Sequence, residues 1–476
     1  MKKSLIFQRT TFFHHIMKRY YSSTAEFAGK KVAILGLGRE GLSTLMYLRR
    51  QLPELRITAI NESPIASDTH AIISQDSYVN IIIEKVGLKQ LCEFDIIVKS
   101  PGISIYRREI QDAKEKGVIF TSATQIWFAD HPNEKTVCIT GTKGKSTTST
   151  LIAHLLKFVG CEVALAGNIG KPLLDTSELK PRPDFFVIEL SSYQTSDFVG
   201  LPYVSVLLNL FPEHLDWHGD EETYYRDKIR LLEETETGII ILNRMDELSK
   251  KYSTKYSNAV FFNDNKMIHF DDNYIWDGKN KLINVRDINL KGKHNLSNIC
   301  AALTAVRCLG IDIVMCIGAL KTFQGLPHRM SILGELNGVI YVDDSISTTP
   351  KSAEAAIETF SEFPITILLG GFDRGLMYED LALFLMTKSI QAVITMPDNG
   401  HRIADTIRAV MAKKGAVPFP VYQAESLSDA VRIAKQVTLR GSVVLLSPAA
   451  PSYGRFRDYE DRSFAFAREA GFECEE

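Results

Sequence analysis

The chain lacks the features that would place it on a membrane, on a nucleic acid or around zinc. None of its apolar runs reaches the length of a membrane span, and no sustained apolar segment resembles a secretory signal. Lys+Arg number 55 against 57 Asp+Glu, a net charge of −2, so neither DNA nor an anionic lipid surface is demanded as a partner. The seven cysteines (92, 138, 161, 300, 308, 316 and 474) form no C-x-x-C and no Cys/His cluster. That excludes a zinc site, and an odd count in a large chain fits reduced thiols in a cytoplasm. Low-complexity tracts and repeats of fixed period are absent too. The expectation is a soluble, cytoplasmic protein.

What is present is regular alternation. A length of 476 residues exceeds one core, so several domains are expected. The first 27 residues carry Lys2, Lys3, Arg9, Lys18 and Arg19 before the first acid, Glu26. This composition suits a transit peptide, a disordered basic tail or a start upstream of Met17, and it is read as a tail over 1–27. Three blocks follow, each alternating apolar strands with amphipathic helices, which predicts parallel sheets of the doubly wound kind. The first, 28–130, opens as strand "KKVAIL", turn "GLGREG" and helix "LSTLMYLRRQL". The second, 131–328, has the strands "FFVIEL" and "VSVLLNL" and a stretch near 257–290 that turns like a small antiparallel patch. The third, 329–476, contains "VIYVDDS", "ITILLGG", "AVITM" and "SVVLLSP". The fold class is therefore α/β in three domains, with a phosphate-loop sheet in the middle and Rossmann-like sheets on either side.

The loops carry the chemistry. "ITGTKGKSTTST" stands between an apolar strand and a helical pattern, an arrangement that turns backbone N–H groups and a helix N-terminus toward phosphate. Gly141, Thr142, Lys143, Gly144, Lys145, Ser146 and Thr147 form it. It is shorter than the usual loop, because the position five before Gly144 is Ile139. Lys145 suits the β/γ-phosphates, and the Ser146 or Thr147 hydroxyl suits Mg²⁺. A hard cation wants oxygen ligands, and Glu189 and His214 both follow strands at the sheet edge where such ligands gather. "GLGREG" matches G-x-G-x-x-G at Gly36, Gly38 and Gly41, but Asn61 or Glu62 stands where a dinucleotide fold has its ribose-binding acid. At that point NAD and another diphosphate remain equally open.

Taken together, "GLGREG", "SPGIS", "ITGTKGKST", "AGNIG", "IELSSYQ", "NLFPEHLDWHG", "YYRDKIRL", "KGKHNLSN", "GLPHR", "DDSISTTP" and "LLSPAAPSYGRF" resemble the Mur ligase family from about Ala28 to the C-terminus. The resemblance implies ATP-dependent addition of glutamate, the D form by family frequency, to UDP-N-acetylmuramoyl-L-alanine through an acyl phosphate, in peptidoglycan precursor synthesis. It implies Lys145, Glu189, His214 and Lys228 as catalytic positions, with Ser146, Glu189, His214 and a carbamylated Lys228 around Mg²⁺. Asn295, Asn298, Arg329 and Asp344 match positions at adenine and ribose. Gly36, Gly38, Arg39, Glu40, Ser100, Pro101, Gly102, Asn168 and His214 would hold the UDP substrate, and Thr348, Arg374, Ser452 and Tyr459 the glutamate.

The sequence also departs from the family. Ile346 stands where many relatives have lysine, Arg374 occupies a position often held by lysine, and Tyr459 one often held by phenylalanine. An Arg fork grips a carboxylate bidentately where Lys acts as a point charge, so an L-glutamate-adding relative stays open. A folylpolyglutamate synthase would not explain the leading G-x-G-x-x-G block. A nicotinamide oxidoreductase would need no second phosphate loop.

Overall fold

The computed structural model describes residues 23–473 except 66, 236, 257–258, 291, 327 and 417. The expected tail therefore lies outside the described residues up to position 22. Its end differs from expectation: Thr24–Phe27 forms a 3-10 turn, and Phe27 is fully buried. The turn is anchored because the Ser23 hydroxyl and the Thr24 amide both donate to Asp130 Oδ1, at 2.9 Å each. Among the described residues, packing is already present at Ser23 and Thr24, ahead of the expected boundary at 28.

The first sheet holds five parallel strands in the order Val79–Ile83, Ile57–Asn61, Val32–Leu35, Ile96–Lys99, Ile119–Thr121. The chain leaves its central strand Val32–Leu35 in one direction and returns on the other side with Ile96–Lys99. A crevice therefore opens above the carboxyl ends of these two neighbours. The second sheet holds six parallel strands, ordered Val260–Phe262, Ile239–Asn243, Val204–Leu207, Thr136–Thr140, Phe185–Glu189, Val163–Gly167. Every residue of Thr136–Thr140 is buried, as a strand covered by helices on both faces must be. The expected antiparallel patch is a three-stranded sheet over Ile268–Phe270, Tyr274–Asp277 and Asn280–Asn284.

These sheets belong to one compact unit, Met1–Ile288 with Lys293–Phe323. Helix Ala123–Asp130 shows why. It is apolar nearly all round, with Ile126 and Trp127 fully buried, as a helix sunk between two layers should be. Trp127 meets Phe186 of the second sheet edge-on at 5.0 Å, and Phe128 meets Phe198 at 5.1 Å. The same apolar cluster contains Val32, Ile34 and Ile57 of the first sheet and Cys138 and Ile188 of the second.

The second unit, Asn289–Gly292 with Gln324–Glu476, carries the third sheet. Its order is Ser331–Leu336, Val339–Asp343, Val443–Leu446, Ile365–Leu369, Ile390–Thr395, Val421–Gln423. All neighbours pair in parallel except the first two, which form an antiparallel hairpin. That hairpin strand was not expected from sequence, because "SILGEL" interrupts its apolar run with Gly334 and Glu335 at a register shift.

Trp127 bridges two sheets, so removing it opens a cavity that neither sheet can collapse alone. Trp127→Ala should cost about 3–5 kcal/mol, read as a lower midpoint for the first unit in denaturant unfolding. An unchanged midpoint would contradict the shared core.

Candidate functional site

Strand Thr136–Thr140 ends in Gly141 (φ +149°) and Gly144 (φ +86°), and helix Lys145–Phe158 starts at once. Both glycines are required sterically. A Cβ on Gly141 would lie 2.9 Å from Leu208 Cβ, and one on Gly144 would lie 2.4 Å from Asn298 Oδ1. Asn298 is buried on helix Lys293–Cys308, and its amide donates to Asn295 Oδ1 at 3.1 Å. The structure thus brings Asn298 against the loop, with Asn295 bonded to it from the same helix. The loop is tied to its neighbour "NLFPEH": Thr142 N donates to Asn209 O, Lys143 N to Asn209 Oδ1, and Thr142 Oγ1 to Phe211 O at 3.1 Å.

Two cations converge on one carbonyl. Lys145 Nζ donates to Gly141 O and Thr142 O, each at 3.0 Å, and Lys228 Nζ donates to the same Gly141 O at 2.8 Å. Lys228 lies on helix Glu221–Glu233 with 1% of its surface exposed. Burial, with Lys145 as the next cause, drives its ammonium pKa well down. Lys143 pairs with Glu213 at 2.5 Å. Glu213 in turn is held below the usual carboxylate range against the pull of burial, chiefly by Lys143.

Glu189 ends strand Phe185–Glu189 and is fully buried. Its Oε1 accepts from Asn168 Nδ2 at 2.6 Å, while its Oε2 is buried without a hydrogen-bond partner. A carboxylate oxygen in that state is costly unless a cation meets it, and this is the observation that suits a hard metal here. His214, at φ +56°, precedes helix Leu215–His218, and burial lowers its pKa. Among the described residues no three His, Cys, Asp or Glu side chains gather as a ready-made metal cluster. Glu189 and His214 would need a further oxygen donor. Ser146, half-buried at the helix start, and Lys228 are the expected sources.

The crevice of the first sheet faces this site within the same unit. Gly36 (φ +94°) lies so close to Ser100 that a Cβ would stand 2.9 Å from Ser100 Cβ, and Ser100 Oγ donates to Gly36 O at 2.6 Å. A Cβ on Gly41 would run into the Gly36 carbonyl, whereas one on Gly38 or Gly102 would meet nothing within 4 Å. Asn61 spends its side chain on Leu37 N and Ser63 O, and Glu62 pairs with Arg107. No acid is left at the ribose position of a dinucleotide fold. Arg39 reaches Gly167 O at 3.1 Å and Asn168 O at 3.2 Å. Glu40 accepts from Gln194 Nε2 at 2.6 Å, and burial raises its pKa to about 7. Pro101 sits between Ser100 and Gly102 in the turn that ends strand Ile96–Lys99.

In the second unit the expected residues are less united. Asp344 is buried, with Ser447 Oγ donating to Oδ2 at 2.6 Å and Met330 N to Oδ1 at 3.3 Å. Burial raises its pKa to about 7, against the pull of Arg329. Ser452 lines a cavity of about 290 Å³, together with Arg455, Arg462 and Arg468. Thr348, Arg374 and Tyr459 do not line it; Arg374 is exposed on the loop after Gly371. Tyr459 opens helix Tyr459–Ala470, and its carbonyl accepts from Ser345 Oγ at 2.9 Å. Sequence reasoning assigned nothing to Arg462, although it is buried and clamps two motif loops by donating to Ser345 O and Ala450 O. It also passed over His218, Asp227 and Ser192, which lie inside quoted motifs but carry no spacing that marks them as a set.

Comparison with known proteins gives one consistent picture. Residues 30–122 match the Mur ligase MurD-like N-terminal domain, 139–306 the Mur ligase middle domain and 328–450 the Mur ligase glutamate ligase domain. A UDP-N-acetylmuramoyl-L-alanine–L-glutamate ligase of Xanthomonas oryzae pv. oryzae is 40% identical over 94% of this chain and 97% of its own length. One from a Micromonospora strain is 36% identical over 93% and 97%. Among solved structures, UDP-N-acetylmuramate-alanine ligase MurC of Thermotoga maritima is similar at TM-score 0.57 and 19% identity, covering 92% of this chain and 98% of that one. MurF ligase of the same organism, in complex with ADP, is similar at 0.57 and 18%, covering 94% and 96%.

The contact between Gly144 and Asn298 makes a sharp test. Gly144→Ala adds a strained φ and a clash to the loop but leaves the core untouched. It should weaken binding of a non-hydrolysable ATP analogue at least about tenfold, a loss of about 1.4 kcal/mol, with an unchanged near-UV circular dichroism spectrum. Wild-type affinity would place the nucleotide elsewhere.

Proposed function

The chain belongs to the Mur ligase family of ATP-dependent, amide-forming ligases, and from that premise we propose that it joins L-glutamate to the alanine carboxylate of UDP-N-acetylmuramoyl-L-alanine. The substrates come from the names of its relatives. Those names weigh against the D-glutamate expected from family frequency, so the proposal takes the L form. The observation that carries the chemistry is the convergence of Lys145 and Lys228 on the Gly141 carbonyl, with the unpartnered oxygen of Glu189 at the end of the adjacent strand.

A carboxylate is a poor acyl donor for an amine. One oxygen of the alanine carboxylate attacks the γ-phosphorus of ATP and ADP leaves, giving an acyl phosphate. The glutamate amine then attacks the acyl carbon, and phosphate departs from the tetrahedral intermediate. The protein's part is positioning and charge neutralisation. Gly141 to Thr147 hold the phosphates, with Lys145 balancing the transferring group; Asn295, Asn298, Arg329 and Asp344 serve adenine and ribose. Gly36, Gly38, Arg39, Glu40, Ser100, Pro101, Gly102, Asn168 and His214 hold the UDP substrate, and Thr348, Arg374, Ser452 and Tyr459 the glutamate. Mg²⁺, held by Ser146, Glu189, His214 and Lys228 as its carbamate, would supply charge neutralisation at the phosphoryl oxygens.

The carbamate is supported by placement. A buried amine crowded by Lys145 favours its neutral form, which is the form that takes up CO₂, and the product is the oxygen donor that Glu189 and His214 lack. We further propose that 28–130, 131–328 and 329–476 act as the UDP-substrate, ATP and glutamate modules of a cytoplasmic monomer. Among the described residues no helix is long and apolar enough to cross a membrane.

Phosphate release with ATP and Mg²⁺ should require both UDP-N-acetylmuramoyl-L-alanine and L-glutamate, with D-glutamate near background. Release that ignores either omission would overturn the ligase reading, and D-glutamate turnover would overturn the enantiomer. Lys228→Ala should lose about 10²–10³ in kcat and recover part of it with acetate; full activity without acetate would exclude the carbamate.

A further inference from the structure

One buried imidazole connects the elements that carry Glu189 and Lys228. His218 has a fully buried side chain. Its Nδ1 stands 2.6 Å from Asp227 Oδ2, and its Nε2 stands 3.0 Å from Ser192 Oγ. Asp227 is the residue immediately before Lys228 on helix Glu221–Glu233. Ser192 opens the short helix Ser192–Thr195, which follows strand Phe185–Glu189 almost at once. The imidazole is held by aromatic rings: Trp217 at 4.5 Å, Tyr224 at 5.2 Å and Tyr193 stacked at 5.8 Å. It cannot swing to solvent without unpacking them. A third element joins at Asp227, whose Oδ1 accepts from Tyr106 OH at 2.6 Å. Tyr106 belongs to the loop after "SPGIS", and that loop is bonded twice more to the same region. Ser104 Oγ donates to Trp217 O at 3.0 Å, and Trp217 Nε1 to Gly102 O at 3.3 Å.

We propose that His218 is a positioning residue that fixes the spacing between the Glu189 loop and the Lys228 helix. Resting on the metal role proposed above for both residues, this makes His218 a strut that sets their separation through Ser192 and Asp227, which lie on the same elements. The reasoning is geometric. With Nδ1–H donating to Asp227, Nε2 accepts from the Ser192 hydroxyl, so one rigid ring spans two elements that have no backbone ladder between them. Outer-shell partners of this kind act by fixing ligand orientation, and losing one costs metal affinity well before it costs the fold. Tyr106 extends the span to the substrate loop, so the UDP-substrate side and the metal side share one hydrogen-bonded junction at Asp227.

The test uses the full chain and Mn²⁺ as a spectroscopic stand-in for Mg²⁺. Mn²⁺ binding in the presence of ADP is titrated by electron paramagnetic resonance for the wild type, His218→Asn, His218→Ala and Ser192→Ala. The asparagine keeps an N–H near Asp227 and loses Ser192; the alanine loses both; Ser192→Ala loses one hydroxyl and nothing else. The expected order of affinity is wild type, then Ser192→Ala and His218→Asn at about tenfold weaker, then His218→Ala weaker still, with KM for glutamate unchanged. If His218→Ala fails to fold, Ser192→Ala decides. Wild-type Mn²⁺ affinity in Ser192→Ala and His218→Asn, with only the melting temperature lowered, would show a purely structural histidine and overturn the proposal. Absence of Mn²⁺ binding in the wild type would overturn it together with the metal assignment, an outcome separable from the first because it appears before any variant is made.

Discussion

Two lysine amines donate to one carbonyl oxygen, and the fully buried one of the two is there for a reason. Lys145 and Lys228 both donate to Gly141 O, and Lys228 is buried with its pKa driven down. A charge on Lys228, out of water and beside Lys145, would be expensive, so its amine favours the neutral form. The arrangement makes sense where anions are to be received: polyphosphate on the loop side, and an anionic oxygen donor in place of the amine on the other. Much of the unit serves to hold that carbonyl where it is. Gly141 takes a left-handed conformation against Leu208, and Tyr224 on the Lys228 helix bonds Thr142 at 2.9 Å.

Around this point the fold works as a frame. The central strand of the second sheet delivers the loop, its two neighbours deliver Glu189 and the "NLFPEH" segment, and the first sheet brings its glycine turn to the same side. The joints are specific. Arg39 holds the backbone on either side of Asn168, Asn168 holds Glu189, and Glu40 holds Gln194 beside Ser192. The crevice of the first sheet and the buried carboxylate are thus separated by single residues. The shared core around Trp127 is what allows such joints to be rigid.

The sequence was legible where a residue has only one physical use. Gly36, Gly141 and Gly144 stand at positive φ in close contact, so their pattern marked real turns. The helix beginning at Lys145 buries Leu151, Ile152, Leu155 and Leu156 as its spacing requires. Lys228 could be found only by resemblance, because a lysine on a helix face looks the same whether buried or solvated. His218, Asp227 and Ser192 were invisible for a related reason: their contact is made across the fold, and no local spacing records it. The hairpin strand Ser331–Leu336 escaped because it is an edge strand with a bulge and an interrupted apolar pattern. Of the positions proposed for glutamate, Ser452 lines a cavity and Arg374 lies exposed, a separation that no one-dimensional pattern could express.

The role proposed for Gly141 to Thr147 is to grip a nucleoside triphosphate whose terminal phosphate faces Glu189 and Lys228. A crystal structure with a non-hydrolysable ATP analogue and Mg²⁺ decides it. Phosphate oxygens are expected on Lys145 and the start of its helix, with a metal ion at the Glu189 oxygen that now lacks a partner and extra density for a carboxyl group on Lys228. Nucleotide bound at the Gly36–Ser100 crevice, with the Gly141–Thr147 turn empty, would contradict it.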